Sequence, residues 1–105
     1  MNYTIDISLQ AKADLRNIYS YIANELLSPQ TAVNQIDRLE ENIFGLEVMP
    51  FRFKRYDEEP WKSRGLHIMP IDKFVVLYIP DKKKAIVTIL RVMYGGRNIN
   101  EQLSL

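Results

Sequence analysis

Cysteine is absent from this chain of 105 residues. Disulfides, thiol nucleophiles and thiolate zinc sites are therefore excluded, and a cytoplasmic location is expected. Histidine occurs once, as His67, which rules out a paired-histidine metal site. Glycine is scarce, and no P-loop, GxGxxG or GxSxG pattern occurs; Gly95-Gly96 is too short to suggest a nucleotide loop by itself. Neither a cofactor nor a metal is expected. No apolar run approaches the roughly 20 residues of a spanning helix, so no membrane partner is expected. Met1–Asp6 lacks a basic stretch followed by an apolar one, the mark of a secretory signal.

What is present is ordinary in amount and uneven in placement. Hydrophobic residues make up 47% and charged residues 26% of the sequence, enough for one globular domain, expected to span 1–105, with one core. The net charge of +1 hides two halves. Residues 1–50 hold Lys12, Arg16 and Arg38 against seven acids, a net of −4. Residues 51–105 hold eleven cations against six acids, a net of +5. Such a split points either to an anionic partner for the basic half or to a scatter of solvated lysines.

Periodicity predicts the elements. Tyr3, Ile5 and Ile7 alternate with polar residues as a half-buried strand does. Ser8 stands where a cap belongs, and Leu15, Ile18, Ile22 and Leu26 follow at helical spacing, predicting a helix over about 9–26. Ser28-Pro29 predicts a second capped start. From there Ala32, Val33, Ile36, Leu39, Ile43 and Leu46 trace a stripe to about 47, ahead of Pro50. The short connection makes the two helices an antiparallel hairpin. Residues 51–60 read as a loop or short irregular strand. Three strands are predicted over about 62–69, 73–79 and 85–93, with a short helix in the tail. The expected fold is α+β, in the order β-α-α-β-β-β. The helical hairpin packs on one face of a twisted antiparallel sheet, leaving the other face partly open.

Few side chains here suit chemistry, and those few suit one reaction. Cleaving RNA with its own 2′-hydroxyl needs no metal and no protein nucleophile. It needs a base, cations around the phosphate and a proton donor, and arginine binds phosphate oxygens bidentately without losing its charge. Arg91 is the unusual residue, a charge inside Ile86–Met93, pointing the same way as Val87, Ile89 and Met93. It must be paired, with Asp72 or a loop carboxylate, or must line a wet cleft. Arg64 begins a predicted neighbouring strand, and Tyr94 and Arg97 flank the glycines at the exit of the last one. Arg52, Lys54, Arg55, Lys62 and Lys73 read collectively as phosphate-positioning cations, or individually as solvated ones. His67 reads as a strand histidine with a satisfied ring, or less readily as a catalyst, and Lys82-Lys83-Lys84 as a solvated turn. Trp61 and Phe51 either stack on bases or pack beside the helices.

In order and spacing, these segments resemble the RelE/ParE toxin family over almost the whole chain. Tyr3-x-Ile5-x-Ile7-Ser8-x-x-Ala11-x-x-Asp14-Leu15-x-x-Ile18-x-x-Tyr21-Ile22 is similar to its opening strand and first helix. The stripe from Ala32 to Leu46 is similar to its second helix. Trp61-x-Ser63-Arg64-x-Leu66, Val76-Leu77-Tyr78 and Ile89-Leu90-Arg91-Val92-x-Tyr94-Gly95-x-Arg97-Asn98 resemble its three-strand half. The resemblance implies a microbial-ribonuclease-like fold and the toxin half of a type II toxin–antitoxin system. It also implies a cognate antitoxin of the RelB/ParD kind, bound in a hetero-oligomer. Two targets are implied. RelE-like members cleave mRNA on the ribosome and so inhibit translation, a metal-independent endoribonuclease activity and the expectation placed first here. ParE-like members inhibit DNA gyrase without cleaving anything. A third form is an attenuated member that keeps only its antitoxin-binding role. By resemblance, the catalytic set of the RelE branch falls on Arg64, Arg91, Tyr94 and Arg97, with Lys54 and Arg55 nearby. Two positions depart from the nuclease pattern. Met93 stands where ribonucleolytic members carry a histidine before the terminal tyrosine, and Phe74–Tyr78 has no arginine ahead of its tyrosine.

Overall fold

The computed structural model describes residues 2–103. Strand β1 (Thr4–Ile7) leads through Ser8 into helix α1 (Leu9–Ser20). The Ser8 hydroxyl oxygen accepts the Ala11 N–H at 3.0 Å, the expected cap, and its O–H donates to the Leu90 carbonyl, also at 3.0 Å. One serine therefore starts the helix and fastens it to a strand 82 residues later. The last turn, Tyr21–Glu25, widens to π-helical hydrogen bonding, with the Leu26 N–H reaching the Tyr21 carbonyl at 3.1 Å.

Helix α2 (Pro29–Phe44) opens with proline at its first turn and closes in a tighter turn, Gly45–Glu47. Ser28 departs from expectation: its side chain caps nothing, because its backbone (φ −130°, ψ 71°) turns the hydroxyl away. Proline already removes one of the N–H groups that a cap would serve. Ala32, Leu39 and Ile43 face inward, as their spacing predicts.

The sheet has five strands in the order β1-β5-β4-β3-β2, where β2 is Lys54–Arg55, β3 is His67–Ile71, β4 is Phe74–Asp81 and β5 is Ile86–Tyr94. From β2 to β5 every pairing is antiparallel, and β1 joins parallel to β5 with Thr4 opposite Ile86 and Ile7 opposite Ile89. The two strands that are apolar on both faces, β4 and β5, lie inside the sheet, as a doubly covered strand must. Residues 62–65, expected to open a strand, form a turn instead. The Ser63 N–H and hydroxyl both donate to the Glu59 carboxylate, and Gly65 holds φ +82°. Lys62-Ser63-Arg64-Gly65 has no apolar alternation to hold it in a sheet.

A bulge corrects the expected orientation of β5. Tyr78 pairs with Ile89 and Leu77 with Arg91, so Leu90 has no partner and the side-chain alternation inverts beyond it. Val87 and Ile89 face the helices, and so does Val92; Met93 belongs to a second cluster on the other face. That face is less open than expected. Leu66, Leu77 and Met93 are covered there by Tyr56, Trp61, Ile99 and Leu103, the last two from the short helix α3 (Ile99–Leu103).

Candidate functional site

Strand β1 stops at Ile7, so the upper part of β5 has no strand along that edge. Helix α1 takes its place. Asp14 reaches the edge and accepts the Val92 N–H at 2.9 Å through Oδ2, satisfying a backbone donor that would otherwise be orphaned. The same carboxylate binds Arg91 in a fork, Nε to Oδ2 at 2.8 Å and Nη2 to Oδ1 at 3.1 Å. Arg91 Nη1 donates to the Gln102 carbonyl at 3.1 Å, so one guanidinium ties α1, β5 and α3 together. The side chains of Asp14 and Arg91 are only 8% and 17% exposed. The carboxylate holds the Arg91 pKa above the ordinary arginine value, and its charge is permanent.

Around this pair lies a cleft of about 230 Å³, lined by Asn17, Tyr21, Tyr94 and Arg97 among others. Tyr94 is half-buried, its ring 4.6 Å from that of Phe74, while Arg97 is exposed. Three of the four residues named for catalysis therefore meet here. Arg64 does not: it lies in the turn that replaces the expected strand, exposed, with its guanidinium 4.7 Å from the Trp61 ring centre.

The partner expected for Arg91 was Asp72 or a loop carboxylate; the true partner is Asp14 on α1. Asp72 instead binds Arg38 at 2.8 Å and Gln35 at 3.1 Å, and these bonds hold its carboxyl below the usual range. In the sequence Asp14 belongs to the first-helix pattern. The available signal was its place between Ala11 and Ile18 at helical spacing, inside the apolar stripe, where a carboxylate needs a partner.

The cations named for phosphate contact are scattered. Lys54 and Arg55 lie on the outermost strand, where Arg55 donates to the Lys62 carbonyl at 3.3 Å. Lys73 sits in the β3–β4 turn, its carbonyl accepting the Gly95 N–H at 2.8 Å, and does not line the cleft. Arg52 bonds the carbonyls of Val48 and Met49, and it lines a different cavity. Two phenols hold their protons at neutral pH and so are not available as bases: Tyr56 is pushed up to about 12 by burial and by Glu58, and Tyr78 to about 12 by burial.

His67 does not reach the cleft. It is buried on β3, with Nδ1 2.8 Å from the Gly65 carbonyl and its ring edge-to-face with Phe51 and tilted against Tyr78. Burial lowers its pKa, partly opposed by the Gly65 carbonyl. A histidine whose folded pKa lies below its unfolded value of 6.5 binds its proton more readily in the unfolded chain. The stability linked to His67 is full above pH 6.5 and declines as pH falls toward the folded pKa. Urea midpoints are therefore expected to drop on acidification below pH 6.5, and a His67→Gln chain should show a flatter profile. Parallel profiles for both chains would contradict this assignment.

The model of the ParE toxin of type II toxin–antitoxin systems (parDE) matches residues 5–99 of the sequence. The chain belongs to this family. No curated protein sequence matches it. Among solved structures, this ParE-family toxin is similar to a chain of the chromosomal ParDE system of P. aeruginosa, at TM-score 0.72 and 21% identity over 88% of this chain and 95% of that one. It is also similar to a chain of the RelBE2 toxin–antitoxin complex of Mycobacterium tuberculosis, at TM-score 0.65 and 23% identity, covering 90% and 99%. The isolated E. coli RelE toxin superposes at TM-score 0.61 with 13% identity, covering 95% and 92%. At these identities the structures share the fold. The chain is thus a type II toxin of the RelE/ParE group, and among its described residues no helix is long and apolar enough to cross a membrane.

Proposed function

We propose that this toxin acts by binding its target rather than by cleaving RNA, as a ParE-type inhibitor of DNA gyrase, and that a cognate antitoxin neutralises it in a hetero-oligomer. The observation that carries the reading is the state of Arg91. A cation meant for a scissile phosphate binds best with a free two-donor edge, yet the Nε/Nη2 edge of Arg91 is taken by Asp14 and one Nη1 N–H by the Gln102 carbonyl, so three of its five N–H donors are engaged and its charge is already balanced. Opening that fork strands a buried carboxylate, and any phosphate entering the cleft meets its negative charge. Arg64 stands elsewhere, and no imidazole lines the cleft.

The ribonuclease reading, placed first on sequence, keeps one observation in its favour. Arg91, Tyr94 and Arg97 share one cleft. The antitoxin is expected to contribute an acidic, partly helical segment along the α1–α2 hairpin and across the basic sheet face. Two assays with the purified toxin separate the readings. Inhibited plasmid supercoiling by gyrase, with ribosome-bound mRNA left intact, is the expected result. Site-specific breaks in ribosome-bound mRNA, with gyrase unaffected, would replace this reading by the nuclease one.

A further inference from the structure

A second surface lies at the far end of α2. Phe44, Val48, Met49 and Phe51 are all large, apolar and exposed within eight residues of sequence, Met49 to 69%. Tyr3, Met49, Phe51, Arg52 and Lys82 line an open cavity of about 630 Å³ that shares no lining residue with the Arg91 cleft. Its floor is braced. The Phe51 ring stands edge-on to Tyr3 at 6.2 Å and to His67 at 5.7 Å. Its rim is braced too, since Arg52 Nη1 donates to the Val48 and Met49 carbonyls at 2.6 and 3.0 Å. Those bonds fix Met49 in the left-handed region, at φ 51°, a conformation costly for any residue but glycine. The side chain held there packs into neither core cluster. An adaptable apolar side chain presented this way is suited to contact with another molecule.

The charges select the partner. Both charged side chains lining the cavity are cations, and neither belongs to an ion pair among the described residues. Lys83 and Lys84 stand in the same turn as Lys82. We propose that this surface docks an acidic amphipathic segment of a partner protein, with an apolar side chain on Met49 and Phe51 and carboxylates against Arg52 and Lys82. A second copy of the chain fits less well, because a two-fold contact sets these cations against themselves. Single-stranded RNA also fits less well, because Phe51 is the one exposed ring lining the cavity and successive bases stack on a series of aromatic side chains.

The test uses the full chain and a fluorescein-labelled synthetic helical peptide of 12 residues, with leucine and phenylalanine on one face and glutamate on the other. Fluorescence anisotropy is expected to show saturable binding that weakens as salt rises. Lys82→Glu should weaken it about tenfold. Met49→Gly should weaken it roughly fivefold while thermal stability holds or rises, since glycine suits this backbone. Gln30→Ala, an exposed change at the opposite end of α2, should leave it unchanged, and a peptide with lysine for each glutamate should not bind. Wild-type affinity in both Met49→Gly and Lys82→Glu would overturn the proposal. So would displacement of the peptide by a short oligouridine, or a concentration-dependent dimer in sedimentation that Met49→Gly abolishes.

Discussion

Replacing Asp14 by alanine is expected to cost about 3–5 kcal/mol of folding stability, because it leaves a half-buried arginine, 17% exposed, without its counter-charge. The Val92 N–H loses its acceptor in the same step, an orphaned donor at an uncovered sheet edge. Against a total stability of about 5–15 kcal/mol, this loss leaves the domain marginal. Urea unfolding of Asp14→Ala against the native chain measures it. A paired replacement, Asp14→Leu with Arg91→Met, should recover a large share, since an apolar pair of similar volume strands no charge. A cost below about 1 kcal/mol for Asp14→Ala, the range of exposed ion pairs, would mean that the pair is solvated and the cleft differs from the one described. The Arg38–Asp72 pair supplies the contrast: it has similar geometry, but its side chains are 58% and 36% exposed, and solvent screens it.

The second large effect is expected at Tyr78. Its side chain is fully buried on β4, and its hydroxyl donates to the Pro50 carbonyl at 2.7 Å. Tyr78→Ala removes the ring at about 3–5 kcal/mol and orphans a buried carbonyl at about 1–3 kcal/mol more. Tyr78→Phe isolates the second part and should cost only that smaller amount. The hydroxyl is also what pins the Pro50–Arg52 turn to the sheet, so Tyr78→Phe should raise amide exchange at Phe51 and Arg52 while α1 stays protected. Equal stability of Tyr78→Phe and the native chain would show that the hydrogen bond contributes nothing net.

How far the sequence could be read depends on which interactions were local. Both helices repeat their apolar residues over four or more turns, and Ser8 and Pro29 mark their starts, so their limits were legible. The inner position of β4 and β5 followed from their being apolar on both faces. The bulge at Leu90 was not legible, because it arises from the register between two strands and not from any residue of its own. Arg91 could be recognised as anomalous, but its partner lies 77 residues away. Nothing local distinguishes Asp14 from a solvated helix carboxylate except its place in the stripe. Arg64 was misplaced because Trp61–Arg64 was read as strand, whereas Gly65 at positive φ and the Glu59 carboxylate fold it into a turn. The cleft is therefore partly what the sequence implied, with Arg91, Tyr94 and Arg97 together. Its carboxylate came only from the three-dimensional arrangement.

That carboxylate is the reason for reading the toxin as a binder. The most direct test is induced expression without antitoxin, following labelled thymidine and labelled methionine incorporation at short intervals. The account predicts that DNA synthesis falls first, with cellular mRNA intact while it falls. Loss of protein synthesis first, with mRNA cut at discrete sites on ribosomes, would contradict it.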